Sequence, residues 1–465
     1  MKRKIGIIVP DGVGIKNYLF SSVLKELKKN NLDFLLLHKL SNEAIEAIKN
    51  VHTIDEIEEI KLPRYDESIL SKFLRELIAL SRLKYNNSKV DNRTLMENWK
   101  PSKSSIALRI FYTIVTIISL FVRRYNSILF LEKLYNKTIN TNDFEDVLKK
   151  NNIDMIINTH QRAIIAIPVV RAAKNNNITT YGVIYSWDNL PKARLSVRTE
   201  HYLVWSDYMK KEMEMFYPEI KKENIHITGT PQFEFYEKKE MLWDKDVFFK
   251  KFDLDIHKKI ICFSGDDVRT SPNDPIYLED LAEEIIKLKE ENQPQILFRR
   301  CPVDLSDRYD SVLGKYSKII KVATPVWRMD ISEKNDWTLI YPTYDDVELL
   351  VNTVYHTDVV INVASTMAHD FAVFEKPCIY INYNQKSDRK TKIETIYNFQ
   401  HFRSMQHLKP VFWLNSKEEI STMLLNVFNS KDSKIIIKDA VKWLNIISFD
   451  RENASKNIVS HLLKS

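Results

Sequence analysis

Ser365, Thr366 and Asp370 have residue types and a spacing that suit phosphate and sugar hydroxyls. They lie in the stretch TDVVINVASTMAHDFAVFEKPCIYINY, residues 357–383. It reads as a strand over 358–362, a short polar turn, a helix opening at Ser365 and Thr366, and a second strand over 377–381. A helix that starts on small hydroxyl residues leaves its first backbone N–H groups unpaired within the helix. They point outward at the positive end of the helix dipole and can hold an anion. Asp370 follows Thr366 by four residues, so both share one helical face. This pattern suits a nucleoside diphosphate, with Asp370 accepting from ribose or sugar hydroxyls. The plainer reading is an ordinary strand–helix–strand unit with a capped helix.

Further candidates also follow predicted strands. After strand 5–9 come Asp11, Gly12 and Gly14, spaced unlike a dinucleotide fingerprint or a P-loop. The two glycines would let a substrate approach the backbone. Asp11 stands where a general base could meet an acceptor hydroxyl, or it simply forms the turn. His160 follows strand 155–158 and suits a base, a phosphate partner or a cap. Trp187, Asp188 and Asn189 follow strand 179–184. They read as a sugar platform with an exposed indole, or as a loop anchored by a buried one. Gly265 ends strand 259–264 and could face phosphates. Arg299 and Arg300 follow one another at the end of strand 295–299 and face opposite sides, so one of them can fork onto phosphate while the other pairs at the surface. Tyr341 and Thr343 could hold a base, or Thr343 could cap the helix that follows.

Composition bounds what positions these residues. The chain has 465 residues, a 44% hydrophobic fraction and a formal net charge of +7, which fits two packed domains and excludes neither anionic substrates nor a membrane surface. The charge is too mild and too dispersed for a nucleic-acid binder. Three widely spaced cysteines without a C-x-x-C argue against a disulfide framework or structural zinc and fit a reducing cytoplasm. No clustered His/Cys or H-E-x-x-H motif appears, so no metal is expected. Short apolar strands alternate with helices in both halves, predicting an α/β protein of two doubly wound, Rossmann-like domains facing across a cleft. The expected division is a first domain over 1–232, with a helical insert at about 60–150. A second domain covers 233–445, and a helix follows over 446–465. Within the insert, 104–124 is interrupted by Arg109 and is too short to span a bilayer. It reads as a buried helix or as one lying in the membrane interface, flanked by Lys103, Arg123 and Arg124.

The order of elements resembles bacterial glycosyltransferases of the GT-B fold. It also resembles their relatives, the CDP-glycerol glycerophosphotransferases and UDP-N-acetylglucosamine 2-epimerases. The similarity rests on Tyr202 to Asp207, on Ile225 to Phe233, and on Arg299 to Pro302, where Cys301 stands in the family's usual histidine position. It rests also on residues 358–377 and on Phe449 to Val459, and it leaves out the helical insert. The resemblance implies a metal-independent transferase that moves a sugar from a nucleotide-activated donor to a cell-surface polysaccharide or lipid-linked glycan, with the first domain binding the acceptor, the second the nucleotide-sugar, and the closing helix crossing back onto the first. The nucleotide-sugar is a co-substrate, and no cofactor or nucleic acid is involved. Ser365, Thr366, Gly265 and Arg299 would hold phosphates, and Asp11 or His160 would deprotonate the acceptor. The alternatives are polyol-phosphate transfer, 2-epimerisation, and a non-catalytic carbohydrate- or membrane-binding scaffold. The implied location is the cytoplasm, in peripheral contact with the inner face of the membrane.

Overall fold

The computed structural model describes residues 2–102, 104–122, 124–329, 340–385, 392–429 and 431–464. Lys103, Arg123 and the start of a strand expected over 338–341 lie outside them. The chain divides into two compact units. One comprises Met1–Gln232, Phe399–His401 and Ile447–Ser465; the other comprises Phe233–Asn398 and Phe402–Ile446.

The first unit is built on seven parallel strands. They are β1 (Lys4–Val9), β2 (Asp33–His38), β3 (Glu59–Lys61), β4 (Met155–Asn158), β5 (Thr179–Val183), β6 (His201–Val204) and β7 (Ile225–Ile227), in the order β3-β2-β1-β4-β5-β6-β7. Continuous apolar runs such as IGIIV and FLLLH let the central strands be buried on both faces. The sequence reading lacks β3, because a three-residue edge strand carries no periodicity, and also the Asn42–His52 helix, although its Ser41 cap and its apolar Ala44, Ile45 and Ile48 signal one. The expected helix over 18–29 is broken. Residues Ile15–Leu19 form a wide π turn, closed by the Phe20 N–H on the Ile15 carbonyl, and the α-helix starts only at Val23.

In the second unit, β8 (Ile260–Ser264), β9 (Gln295–Arg299), β10 (Ile320–Val322), β13 (Val359–Asn362), β14 (Cys378–Ile381) and β15 (Phe412–Leu414) form a six-stranded parallel sheet. Its order is β10-β9-β8-β13-β14-β15. The remaining strands, β11 (Trp327–Met329) and β12 (Ile340–Pro342), pair antiparallel in a separate ribbon. The strand expected at 338–341 is therefore not part of the main sheet. Both large sheets are doubly wound, with the chain reversing direction beside β1 and beside β8.

The C-terminal helix, Ala454–Leu463, belongs to the first unit. Its approach needs Gly229, whose φ is +75° and whose missing Cβ would stand 2.2 Å from the Phe449 carbonyl oxygen. Phe449 N–H donates to the Trp205 carbonyl, and the Asn457 amide donates to that of Thr228.

The helices between β3 and β4 share the core of the first sheet. Leu74, Tyr135, Phe144 and Leu148 pack with Ile8, Leu35 and Ile156. A buried charge network pins them. Arg82 Nη2 lies 2.9 Å from both Glu132 and Glu219, Arg198 reaches the same two carboxylates, and Arg82 also donates to the Phe216 carbonyl. Removing one member leaves the others desolvated and unbalanced. Arg82→Met should therefore lower the urea midpoint of the first unit, with a cost of roughly 3 kcal/mol. Arg82→Lys should not restore it, because an ammonium lacks the planar fork.

Three half-buried histidines join β6, β7 and the C-terminal helix. His201 Nδ1 lies 3.0 Å from His226 Nε2, and the rings of His226 and His461 are 4.6 Å apart. Burial, then the neighbouring His461 and His201, lower the pKa of His226 from 6.5 to about 4. A depressed histidine is protonated first in the unfolded chain, so its stabilising share is complete above about 6.5 and is lost as pH falls toward 4. A melting-temperature series from pH 7 to 4 should decline, and His226→Gln should flatten that decline.

Candidate functional site

In open α/β sheets, ligands bind beyond the carboxyl ends of the strands, where the strand order reverses. The first unit reverses between β1 and β4, which pair in parallel with Ile8 opposite Asn158. The loops leaving these strands carry Asp11 and His160, 149 residues apart. The structure joins them: His160 Nδ1 lies 2.6 Å from Asp11 Oδ2. Asp11 Oδ1 accepts from the Val13 N–H, so the carboxylate is fixed by its own turn. The Tyr185 ring packs edge-on against the imidazole at 4.8 Å. His160 is 3% exposed, and its Nε2 has no hydrogen-bond partner among the described residues. A histidine whose Nδ1–H is held by a carboxylate presents Nε2 as an acceptor, which is the form a general base needs.

Gly12 and Gly14 are buried in the same turn. The expectation that Gly14 opens the backbone to a substrate is corrected, because the Thr159 hydroxyl occupies the place of its Cβ, at 2.4 Å. The glycine lets the β1 and β4 loops close on each other. The platform expected at Trp187, Asp188 and Asn189 is also corrected. Trp187 is 5% exposed with its ring against His401 at 4.6 Å, so no indole face is presented. Asp188 accepts from Ser186, Asn189 and Lys192. Burial opposes its charge, yet Lys192 and His401 hold the carboxyl well below its ordinary range. Sequence reading misses Glu212 nearby. Among the described residues neither of its buried carboxyl oxygens has a partner, and burial, then the Asp188 charge, raise its pKa well above the usual carboxylate value.

In the second unit the reversal falls between β8 and β13, with β9 on the far side of β8. Gly265, Arg299 and the Ser365 turn are thereby gathered at neighbouring strand ends, and Gly265 N–H donates to the Arg299 carbonyl. The turn after β13 is tightly built. Ala364 takes φ +56°, Ser365 N–H donates to Asn362 Oδ1, and Met367 N–H to Ser365 Oγ. The helix, Met367–Val373, is shorter than expected, and its first N–H is already taken. Thr366 is exposed at its start, and Ser365 is half-buried. Asp370 is 4% exposed beside Tyr236. Burial, then the charge and hydrogen bonding of Asp370, raise the Tyr236 hydroxyl well above its ordinary pKa.

Three further expectations are corrected here. Arg299 is 5% exposed and donates from Nη2 to both oxygens of Asp346, at 3.0 and 2.8 Å. Asp346 also accepts from the Val326 N–H and the Trp327 indole, so the arginine's charge is neutralised internally. Thr343 caps the Tyr344–His356 helix by accepting from the Asp346 N–H, and its hydroxyl donates to the Val326 carbonyl. Tyr341 is 4% exposed within the β11–β12 ribbon, so its ring is not open for stacking on a base. The sequence signal for Asp346 was its place three residues after Thr343, the spacing of a capping box. Tyr236, in a charged and aromatic stretch without periodicity, gave none.

The structure also fills the space at Gly265, where a Cβ would stand 2.6 Å from the Tyr309 hydroxyl. Gly265→Ala should cost about 1–3 kcal/mol by overpacking, read in denaturant unfolding. Adding Tyr309→Phe should recover part of it. Unchanged stability with lost ligand affinity would instead make Gly265 a ligand contact.

Comparison with known proteins agrees with this architecture. Residues 74–231 match the family model of monogalactosyldiacylglycerol (MGDG) synthase. The match begins inside the helical insert, which the sequence resemblance left out. None of the curated proteins matches the sequence. Solved structures align over the whole length. A UDP-GlcNAc 2-epimerase from Methanocaldococcus jannaschii is 12% identical, with TM-score 0.56 over 99% of this chain and 100% of its own. A glycosyltransferase from Rickettsia africae is 11% identical, with TM-score 0.54 over 100% and 98%. S. aureus MnaA, solved with UDP, is 13% identical, with TM-score 0.52 over 100% and 96%. The chain has the GT-B-type fold shared by these glycosyltransferases and 2-epimerases, two doubly wound parallel sheets in one polypeptide.

Proposed function

We propose that the protein is a glycosyltransferase that moves a sugar from a nucleotide-activated donor to a glycan or lipid-linked acceptor at the inner face of the cytoplasmic membrane. The observation that carries this reading is the Asp11–His160 pair at the reversal point of the first sheet. His160 Nε2 takes the acceptor hydroxyl's proton, and Asp11 holds the ring and stabilises the imidazolium that forms. The acceptor oxygen bonds to the anomeric carbon as the bond from that carbon to the nucleotide phosphate breaks. The Ser365–Thr366 turn of the second unit receives the phosphates, while Asp370, buried beside Tyr236, is not open to a sugar or ribose hydroxyl. Transfer of this kind needs no metal where backbone and side-chain donors balance the leaving charge. The MGDG synthase match adds diacylglycerol to the acceptors worth testing.

The 2-epimerase reading is kept because several fold neighbours are described as UDP-GlcNAc 2-epimerases, two of them with UDP-GlcNAc bound. The reactions differ in need: transfer requires an acceptor, and epimerisation does not.

The test offers a panel of UDP-, GDP-, TDP- and CMP-sugars and CDP-glycerol with diacylglycerol and lipid-linked glycans, and identifies products by mass. A product heavier than the acceptor by one sugar is expected. His160→Ala should lower kcat roughly 100- to 10,000-fold with donor affinity retained. Asp11→Asn should lower kcat and displace the pH profile. Thr366→Ala should weaken donor binding without altering the melting temperature. Conversion of UDP-GlcNAc without acceptor would replace the transferase by the epimerase, added glycerol phosphate would move the attack to phosphorus, and full turnover in His160→Ala would remove the base.

A further inference from the structure

The Ile106–Ile118 helix buries only Val115 completely. The expectation of a buried helix is therefore corrected. Ile106, Ile110, Ile114 and Ile117 are 75%, 57%, 44% and 52% exposed. At 3.6 residues per turn these four side chains fall within an arc of about 80°. The chain then turns through Phe121, itself 82% exposed. The opposite side of the helix is occupied. Phe111 meets Phe73 edge-on, Val115 packs with Leu77 and Leu80, and Ser119 accepts from Lys84. These contacts advance together along both helices, so the Ile69–Val90 helix runs beside it in the same direction. Ile69 and Leu70, 81% and 58% exposed, lie at the same end as Ile106. Aliphatic side chains so exposed, in line along one helix and joined by two from its neighbour, form a patch that water alone does not favour.

Charge selects the occupant. From Asn98 to Leu131 the sequence has no acidic residue and five basic ones: Lys100, Lys103, Arg109, Arg123 and Arg124. Arg109 and Arg124 are exposed. A second copy meeting this face isologously would oppose like charges. Nor does the exposed stripe offer the Trp, Tyr and Arg anchors on which protein interfaces concentrate their energy. A helix of this length, about 20 Å, cannot cross a hydrocarbon core of about 30 Å. No helix among the described residues is long and apolar enough to do so. An apolar stripe whose own helix and flanking turns carry only basic charge does suit the interface of an anionic bilayer, the acidic Asp66 and Glu67 beside Ile69 being paired with Arg64 and Arg75.

We propose that the protein docks on anionic membranes by laying the Ile106–Ile118 helix in the interface, with Ile106, Ile110, Ile114, Ile117 and Phe121 inserted and Arg109 and Arg124 at the headgroups. This deepens the membrane location of the proposed transferase and is independent of its chemistry.

The test is co-sedimentation of the full-length protein, without donor or acceptor, with vesicles of phosphatidylglycerol and phosphatidylcholine, or of phosphatidylcholine alone. Binding is expected to the anionic vesicles, weakening with salt. The double variant Ile110→Ser, Ile114→Ser should reduce partitioning at least about tenfold with unchanged circular dichroism and melting. Arg109→Gln with Arg124→Gln should weaken binding and flatten its salt dependence. The proposal fails if the wild type ignores anionic vesicles or if the serine variant binds as well. It also fails if wild-type protein forms lipid-free dimers that the serine substitutions dissolve, which would assign the face to a second copy. Vesicle binding with no sugar transfer would sink the transferase alone, and transfer without vesicle binding would sink the docking alone.

Discussion

Parallel strand pairing at the two reversal points is the constraint on which the candidate chemistry depends. β1 lies between β2 and β4, and β8 lies between β9 and β13. Parallel neighbours end on the same side, so loops far apart in sequence leave the sheet together. Asp11 meets His160 only because their strands are adjacent. The Gly265, Arg299 and Ser365 segments converge for the same reason.

Much polar chemistry near these edges serves packing. Arg299 spends its charge on Asp346, Asp188 on Lys192, and the Thr343 hydroxyl on a helix cap and a carbonyl. Gly14 and Gly265 make room for Thr159 and Tyr309. The dyad differs in that Asp11 orients the His160 ring, whose Nε2 is buried without a partner among the described residues. Leaving such a group unpaired carries a penalty, and a substrate hydroxyl would relieve it.

The helical segment between β3 and β4 has two opposed faces. Its inner side joins the sheet core and is clamped by two arginines sharing two glutamates. Its outer side leaves a row of isoleucines uncovered. The clamp holds that row in place whatever covers it, because the ion network lies on the inner side of the neighbouring helix and does not involve the exposed row.

The sequence by itself determined the doubly wound α/β class, since apolar runs of strand length alternate with amphipathic helices and small or polar residues follow the strands. It also marked Asp11 and His160 separately, and the 104–124 stretch as apolar yet too short to span. Periodicity could not reveal the short edge strand β3, the π turn at Ile15–Leu19 or the detached β11–β12 ribbon, because these depend on neighbours distant in the chain. Only the tertiary structure decided that Asp11 orients His160, that Arg299 answers to Asp346, that Trp187 is buried, and that the isoleucine row faces outward. A residue type states which bonds a side chain can make; which bond it makes depends on the partner that packing brings within reach.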